Sequence, residues 1–112
     1  SCTIPYYSCH IGFLYIANEY VRPYLVNDLN NPDIFIAIDA AIVLAQIGFG
    51  NNSFFFLKSS LNHQDKYVRM AALRGLAYIG DEESILCIQT LISDSEPLVS
   101  KRAKKITEKF KN

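Results

Sequence analysis

The chain predicts an all-α solenoid, a stack of helical hairpins, and three observations carry that prediction. The stretch "DKYVRMAALRGLAYIGD", residues 65–81, lies over "DIFIAIDAAIVLAQIGF" at a shift of 32 positions, so that Asp65, Val68, Ala72, Leu76, Ile79 and Gly80 fall on Asp33, Ile36, Ala40, Leu44, Ile47 and Gly48. Similarity at a fixed period of this size marks a repeat architecture. Within a copy, Val68, Ala72, Leu76 and Ile79 recur at intervals of four, four and three, which puts them on one face of a helix, with alanine where another helix approaches closely. Each such helix A is followed by a second apolar segment, helix B, that runs into a short polar turn, and regular pairs at this period stack into a solenoid.

The elements follow in order. "IPYYSCHIGFLYI" takes the first helix A slot, with Tyr7, Ser8 and Gly12 replacing the alanines and leucine, and reads as an N-terminal cap. "EYVRPYLVNDL" is the first helix B, "NSFFFLKSSL" the second and "ESILCIQTLI" the third. The turns "NNPD", "NHQD" and "SDSEP" supply the Asn, Asp, Ser and Pro favoured at helix starts. Gly48 and Gly80 end the A helices, and Asp81, Glu82 and Glu83 place negative charge on the first turn of the last helix B, where the dipole favours it. A further shift of 31 matches Glu96, Val99, Ala103 and Phe110 to the pattern, while Thr107 and Lys111 break its Leu and Gly positions. The reading is about seven helices in roughly three and a half hairpins: one domain over residues 1–112, with a degenerate capping repeat at 1–30, repeats at 31–61 and 62–92, and a C-terminal capping helix at 95–112.

Half of the 112 residues are hydrophobic, enough for a core without metal or disulfide staples. Eleven basic and eleven acidic residues cancel, yet residues 101–112 hold six of the basic and only one of the acidic, so an acidic body is joined to a basic tail. Cys2, Cys9 and Cys87 form no C-x-x-C pair, and neither His10 nor His63 completes a zinc spacing, which points to a reducing cytoplasmic setting and to no metal or cofactor. "IGFLYIA" is too short to span a membrane and lacks the flanks of a signal peptide.

The pattern D-x-x-V-R-x-x-A-A-x-x-x-L-x-x-I-G-D, complete from Asp65 to Asp81, resembles the HEAT-like repeat named after the phycobilisome lyases. The resemblance implies an α-solenoid in which Arg69 joins a ladder of ion pairs with the acidic residues of neighbouring turns, its partner being Asp65 or Asp33. Ala37 and Ser100 stand where further ladder arginines would be, so the ladder is short. Proteins of this architecture include bilin lyase subunits, adaptors and scaffolds, a class of DNA glycosylases and bacterial immunity proteins. Fold does not choose among them.

The B helices of such solenoids line the binding surface. Their shared register turns Val21, Leu25, Phe54, Leu57, Ile85 and Ile88 inward, and Pro23, Tyr24, Phe55, Phe56, Leu86 and Cys87 outward. Tyr24, Phe55, Phe56, Leu86 and Cys87 would then form an apolar ridge suited to gripping a protein. A rotation of helix B would instead put two of the three phenylalanines in the core. Asp39, in the slot of Ala71, is expected at the edge of the small-residue seam, solvated or paired. Lys101, Arg102, Lys104 and Lys105 could contact a polyanion, although a polar face and cations near a helix C-terminus are also what a cap requires.

No phosphate loop, acid/base carboxylate pair or nucleophile constellation emerges, so the expectation is a non-catalytic module that binds a partner protein. An immunity-type inhibitor of a basic toxin is the concrete version, since an acidic body speeds association with a cationic surface. Three rivals remain: a bilin lyase-like subunit holding a pigment on Tyr24, Phe55 and Phe56, nucleic-acid binding through the basic tail, which the acidic body opposes, and self-association through the ridge.

Overall fold

A computed structural model describes residues 18–111, and every regular element among them is helical. Residues 18–28 form α1, followed by α2 (Ile34–Gln46), α3 (Gly50–Ser60), α4 (Lys66–Ile79), α5 (Glu82–Gln89), a 3-10 turn at Thr90–Ser93, and α6 (Pro97–Lys109). The helix A slot expected over residues 4–16 lies outside the described residues. The A helices α2, α4 and α6 pack against one another as one layer, and α3 and α5 pack on them and on each other as a second. No described helix is long and apolar enough to cross a membrane.

The turns between hairpins share one hydrogen-bonding scheme. Asn31, His63 and Asp94 occupy equivalent positions, and in each the side chain accepts from the backbone amide two residues on: Asp33 N–H to Asn31 at 2.8 Å, Asp65 N–H to His63 Nδ1 at 3.1 Å, Glu96 N–H to Asp94 at 2.8 Å. Asp33 and Asp65 then cap α2 and α4, accepting from the amides of Phe35 at 2.9 Å and Tyr67 at 2.7 Å. Glu96 is one methylene too long to repeat this, and Pro97, which has no N–H to satisfy, opens α6 instead. Asp81 caps α5 through the Ser84 amide at 2.8 Å, with Glu82 and Glu83 in the first turn as expected.

Gly80 caps α4, and Gly48 follows Ile47, the cap of α2. Gly48 has φ +96° and Gly80 φ +65°, the left-handed region where a Cβ is strained. After α2, the Phe49 amide reaches back to the Leu44 carbonyl at 2.8 Å and the Gly48 amide to Ala45 at 3.4 Å; after α4, a single bond from Gly80 to Leu76 at 2.9 Å does the work. At Gly80 a Cβ would also lie 3.3 Å from both the Ala77 carbonyl and the Phe110 ring.

The core is assembled from Ile38, Ala41, Leu57, Val68, Ala72, Leu73, Leu76, Ile88, Val99 and Ala103, all 1% exposed or less. Thr107, at the Leu76 position of the last copy, is tolerated in this setting because its hydroxyl donates to the Ala103 carbonyl at 2.8 Å. Val21, expected inward, is 44% exposed.

Arg69 does not pair with Asp65 or Asp33. The Asp65 carboxylate is occupied in capping α4, and the guanidinium reaches across to Asp94, at 2.9 Å from Nε and 3.1 Å from the second nitrogen, while its remaining N–H groups donate to the carbonyls of His63 and Gln64 at 2.9 and 3.0 Å. Both side chains of the pair are largely buried. Burial pushes the Asp94 carboxyl up, but the Glu96 amide and the Arg69 guanidinium outweigh it and hold the group below its ordinary value of 3.8.

Two outcomes follow for stability. Replacing Gly80 by Ala should cost about 1–2 kcal/mol and by Asn less, read from urea midpoints. Arg69→Met, which leaves a largely buried carboxylate and two carbonyls without their donor, should cost on the order of 2–4 kcal/mol at neutral pH. Because the Asp94 pKa is depressed by folding, its contribution is present above the unfolded value and lost as pH falls through the folded one. The variant should therefore lose less stability than the wild type on acidification below about pH 4.

Candidate partner-binding surface

On α3 the four residues Phe54 to Leu57 sweep from core to solvent and back. Phe54 and Leu57 are buried, Phe55 is 74% exposed, and Phe56 is half-buried against the core cluster. Leu86 stands at the position equivalent to Phe55 on the adjacent α5 and is 57% exposed, while Cys87, equivalent to Phe56, is a half-buried free thiol packed on the core. Tyr24 on α1 is 70% exposed.

The expected ridge therefore divides: Tyr24, Phe55 and Leu86 stand out, whereas Phe56 and Cys87 form its floor. Neither the outward register nor the rotated one describes α3 fully, since one of its three phenylalanines is core, one exposed and one between. Phe55 is braced by an edge-to-face contact with Phe54, centroids 5.3 Å apart and planes at 75°, and Lys58 lies over the Phe54 ring at 6.0 Å. Arg22, paired with Glu19 at 3.1 Å, lies 5.2 Å above the Phe49 ring and ties α1 to the start of α3.

Two apolar features escaped the sequence reading. Tyr20 is exposed one turn before Tyr24 and flanks Pro23 with it. Phe35, Tyr67 and Leu98 form a second row, one residue per repeat at the start of each A helix, and all three are exposed. The signal was present in the repeat alignment, where 35, 67 and 98 coincide, but the turn residues beside them drew the reading toward capping.

Asp39 is exposed at the edge of the seam, beside Asp28, Ile36 and Val43. Lys101, Arg102, Lys104 and Lys105 are all exposed on α6; Arg102 and Lys105 turn toward α4, and Lys101 and Lys104 do not share that cleft.

Paired helices stacked in two layers, turned by left-handed glycines and repeating every 31 or 32 residues, define an α-solenoid. A family model described as HEAT repeats matches residues 55–111, just over half of the chain, and the chain belongs to that family. No curated protein and no solved structure gives a significant match.

The two exposed and half-exposed phenylalanines should separate cleanly. Phe55→Asp should leave helicity and the unfolding midpoint within about 0.5 kcal/mol of wild type. Phe56→Asp, which places a carboxylate against the core, should cost about 2–4 kcal/mol, measured by circular dichroism during urea titration.

Proposed function

We propose that this chain is a non-catalytic module that binds a partner protein through its B-helix face. The observation that carries the reading is the pair Phe55 and Leu86, large apolar side chains exposed at the same position of neighbouring repeats on rigid, well-packed helices. Neither has an intramolecular role that requires such exposure, and aromatic anchors on a fixed scaffold lose little side-chain freedom when covered. HEAT repeats commonly mediate protein–protein interaction, which agrees with this reading.

The acidic cluster Asp81, Glu82 and Glu83 opens α5, the helix that carries Leu86, and favours a partner whose surface is basic around an apolar spot. Neutralisation of a basic toxin, in the manner of an immunity protein, is the concrete version of this function.

The test is affinity capture from native lysate with the wild-type chain and with Phe55→Asp/Leu86→Asp, both shown equally helical. The expected result is one protein retained at near-equal stoichiometry by the wild type and lost by the variant, an anchor pair being worth about 2 kcal/mol or more, roughly thirtyfold in affinity. A folded variant that captures everything the wild type does would place the binding surface elsewhere.

A further inference from the structure

The A-helix layer carries a feature of opposite character. Between α4 and α6 lies a cleft of about 470 Å³ whose rim is cationic, with Arg74 from α4 and Arg102, Lys105 and Lys109 from α6. Its walls are apolar and aromatic: Ala77, Ile106, Tyr78 and Phe110. None of the four cations belongs to an ion pair among the described residues, where the pairs are Arg22–Glu19, Lys66–Glu96 and Arg69–Asp94. Arg74 lies 5.9 Å over the Tyr78 ring. Hydrogen bonds from its guanidinium and from the Gln46 amide hold the Tyr78 phenol below its ordinary value.

The repeat shows that this is a local departure and not a property of the scaffold. Arg74 and Tyr78 of α4 are equivalent to Lys105 and Lys109 of α6, so the cleft has two cations or rings at each register position. At the preceding junction, between α2 and α4, the corresponding residues are Ile42, Gln46 and Ala71 with Arg74 and Tyr78, and one cation stands where here there are four. A cap needs a polar outer face, and the α6 dipole favours a cation in its last turn, which accounts for Lys109; neither accounts for Arg74, Arg102 and Lys105 crowded with it around an aromatic hollow, where like charges repel one another.

We propose that this cleft binds a nucleoside polyphosphate. Guanidinium and ammonium groups neutralise adjacent phosphates, each terminal phosphate carrying up to about −2. The remaining apolar wall accepts a flat base against Tyr78 and Phe110. A peptide segment small enough for the cleft must divide its few side chains between carboxylates and apolar groups, whereas a nucleotide concentrates its charge at one end and its ring at the other. The same chemistry is presented by a free nucleotide and by the end of a single strand. The site is separate from the B-helix face, so either can fail without the other.

The experiment is fluorescence anisotropy with a ribose-labelled ADP, competed by ATP, pyrophosphate, a short oligouridylate and polyglutamate. The expected result is saturable binding that weakens with salt and is displaced by ATP at lower concentration than by pyrophosphate. Arg74→Glu and Arg102→Glu, both at exposed positions, should each weaken it by about tenfold or more, while Lys101→Glu, outside the cleft, changes it less than about twofold. Displacement by oligouridylate at lower concentration than by ATP would assign the ligand to a strand. Absence of saturable binding, binding indifferent to both arginine variants, or stronger displacement by polyglutamate than by ATP would overturn the proposal, the last pointing to an acidic protein segment.

Discussion

Leu57 lying against the bare backbone of Gly75 is the contact on which the layered arrangement depends. A Cβ at Gly75 would stand 2.6 Å from the nearest Leu57 methyl, and Leu57 is fully buried, so the two layers meet here at a distance that only a missing side chain permits. Glycine inside a helix costs about 1 kcal/mol relative to alanine, and the close packing it allows must offset that. Ala41, Ala72 and Ala103, all with no exposed surface, extend the same seam through the A helices, and Leu73, Leu76 and Ile88 fill the space on either side. Were the seam wider, α3 and α5 would lift away from α4, and the position of every residue on the B-helix face would change with them.

The turns convert that packing into a defined register. A helix begins where its cap is, and because Asp33 and Asp65 cap α2 and α4 two residues after Asn31 and His63 bind the backbone, the phase of every buried position is set from the same local geometry. Asp94 serves the same turn and in addition receives Arg69 from the preceding repeat, so a local cap becomes a tie between hairpins. At the earlier junction Ala37 and His63 occupy the two ladder positions and no such tie can form. There α2 and α4 are joined instead by their buried alanine and leucine face, the most extensive contact among α2 to α6. One charged pair and one apolar face thus perform equivalent tasks in successive repeats.

What the sequence made legible was whatever the period repeats. The A helices, their glycine ends, the small-residue seam and the outward position of Phe55 and Leu86 all follow from residues that coincide at shifts of 31 and 32. What it hid depended on angular detail or on reach. Phe56 and Cys87 are one residue, about 100°, from the outward positions, and a helix lodged between a neighbour and solvent half-buries that flank. Val21, placed inward by the shared register, is instead 44% exposed. The Arg69 partner was misassigned because a long side chain reaches a turn 25 residues away, and because Asp65, adjacent in space on the helix, was already committed to the backbone.

Repetition also indicates where to look for function. A solenoid copies its structural residues from one hairpin to the next, so a residue type that appears at only one copy of a position is not explained by the scaffold. Ile42, buried, gives way to the exposed Arg74 and then Lys105, and Gln46, already exposed, to Tyr78 and then Lys109, so that both positions pass from neutral to cationic along one layer. On the other layer, Pro23, Phe55 and Leu86 keep an apolar group at the same outward position throughout. The outward B-helix position is thus constant, as is the row Phe35, Tyr67 and Leu98 at the starts of the A helices, whereas the later turns of the A helices diverge, and the B-helix face and the cleft belong to different layers of one core. A scaffold whose layers are fixed by backbone-close packing can vary either surface without disturbing the other, which is the physical basis for assigning them separate ligands.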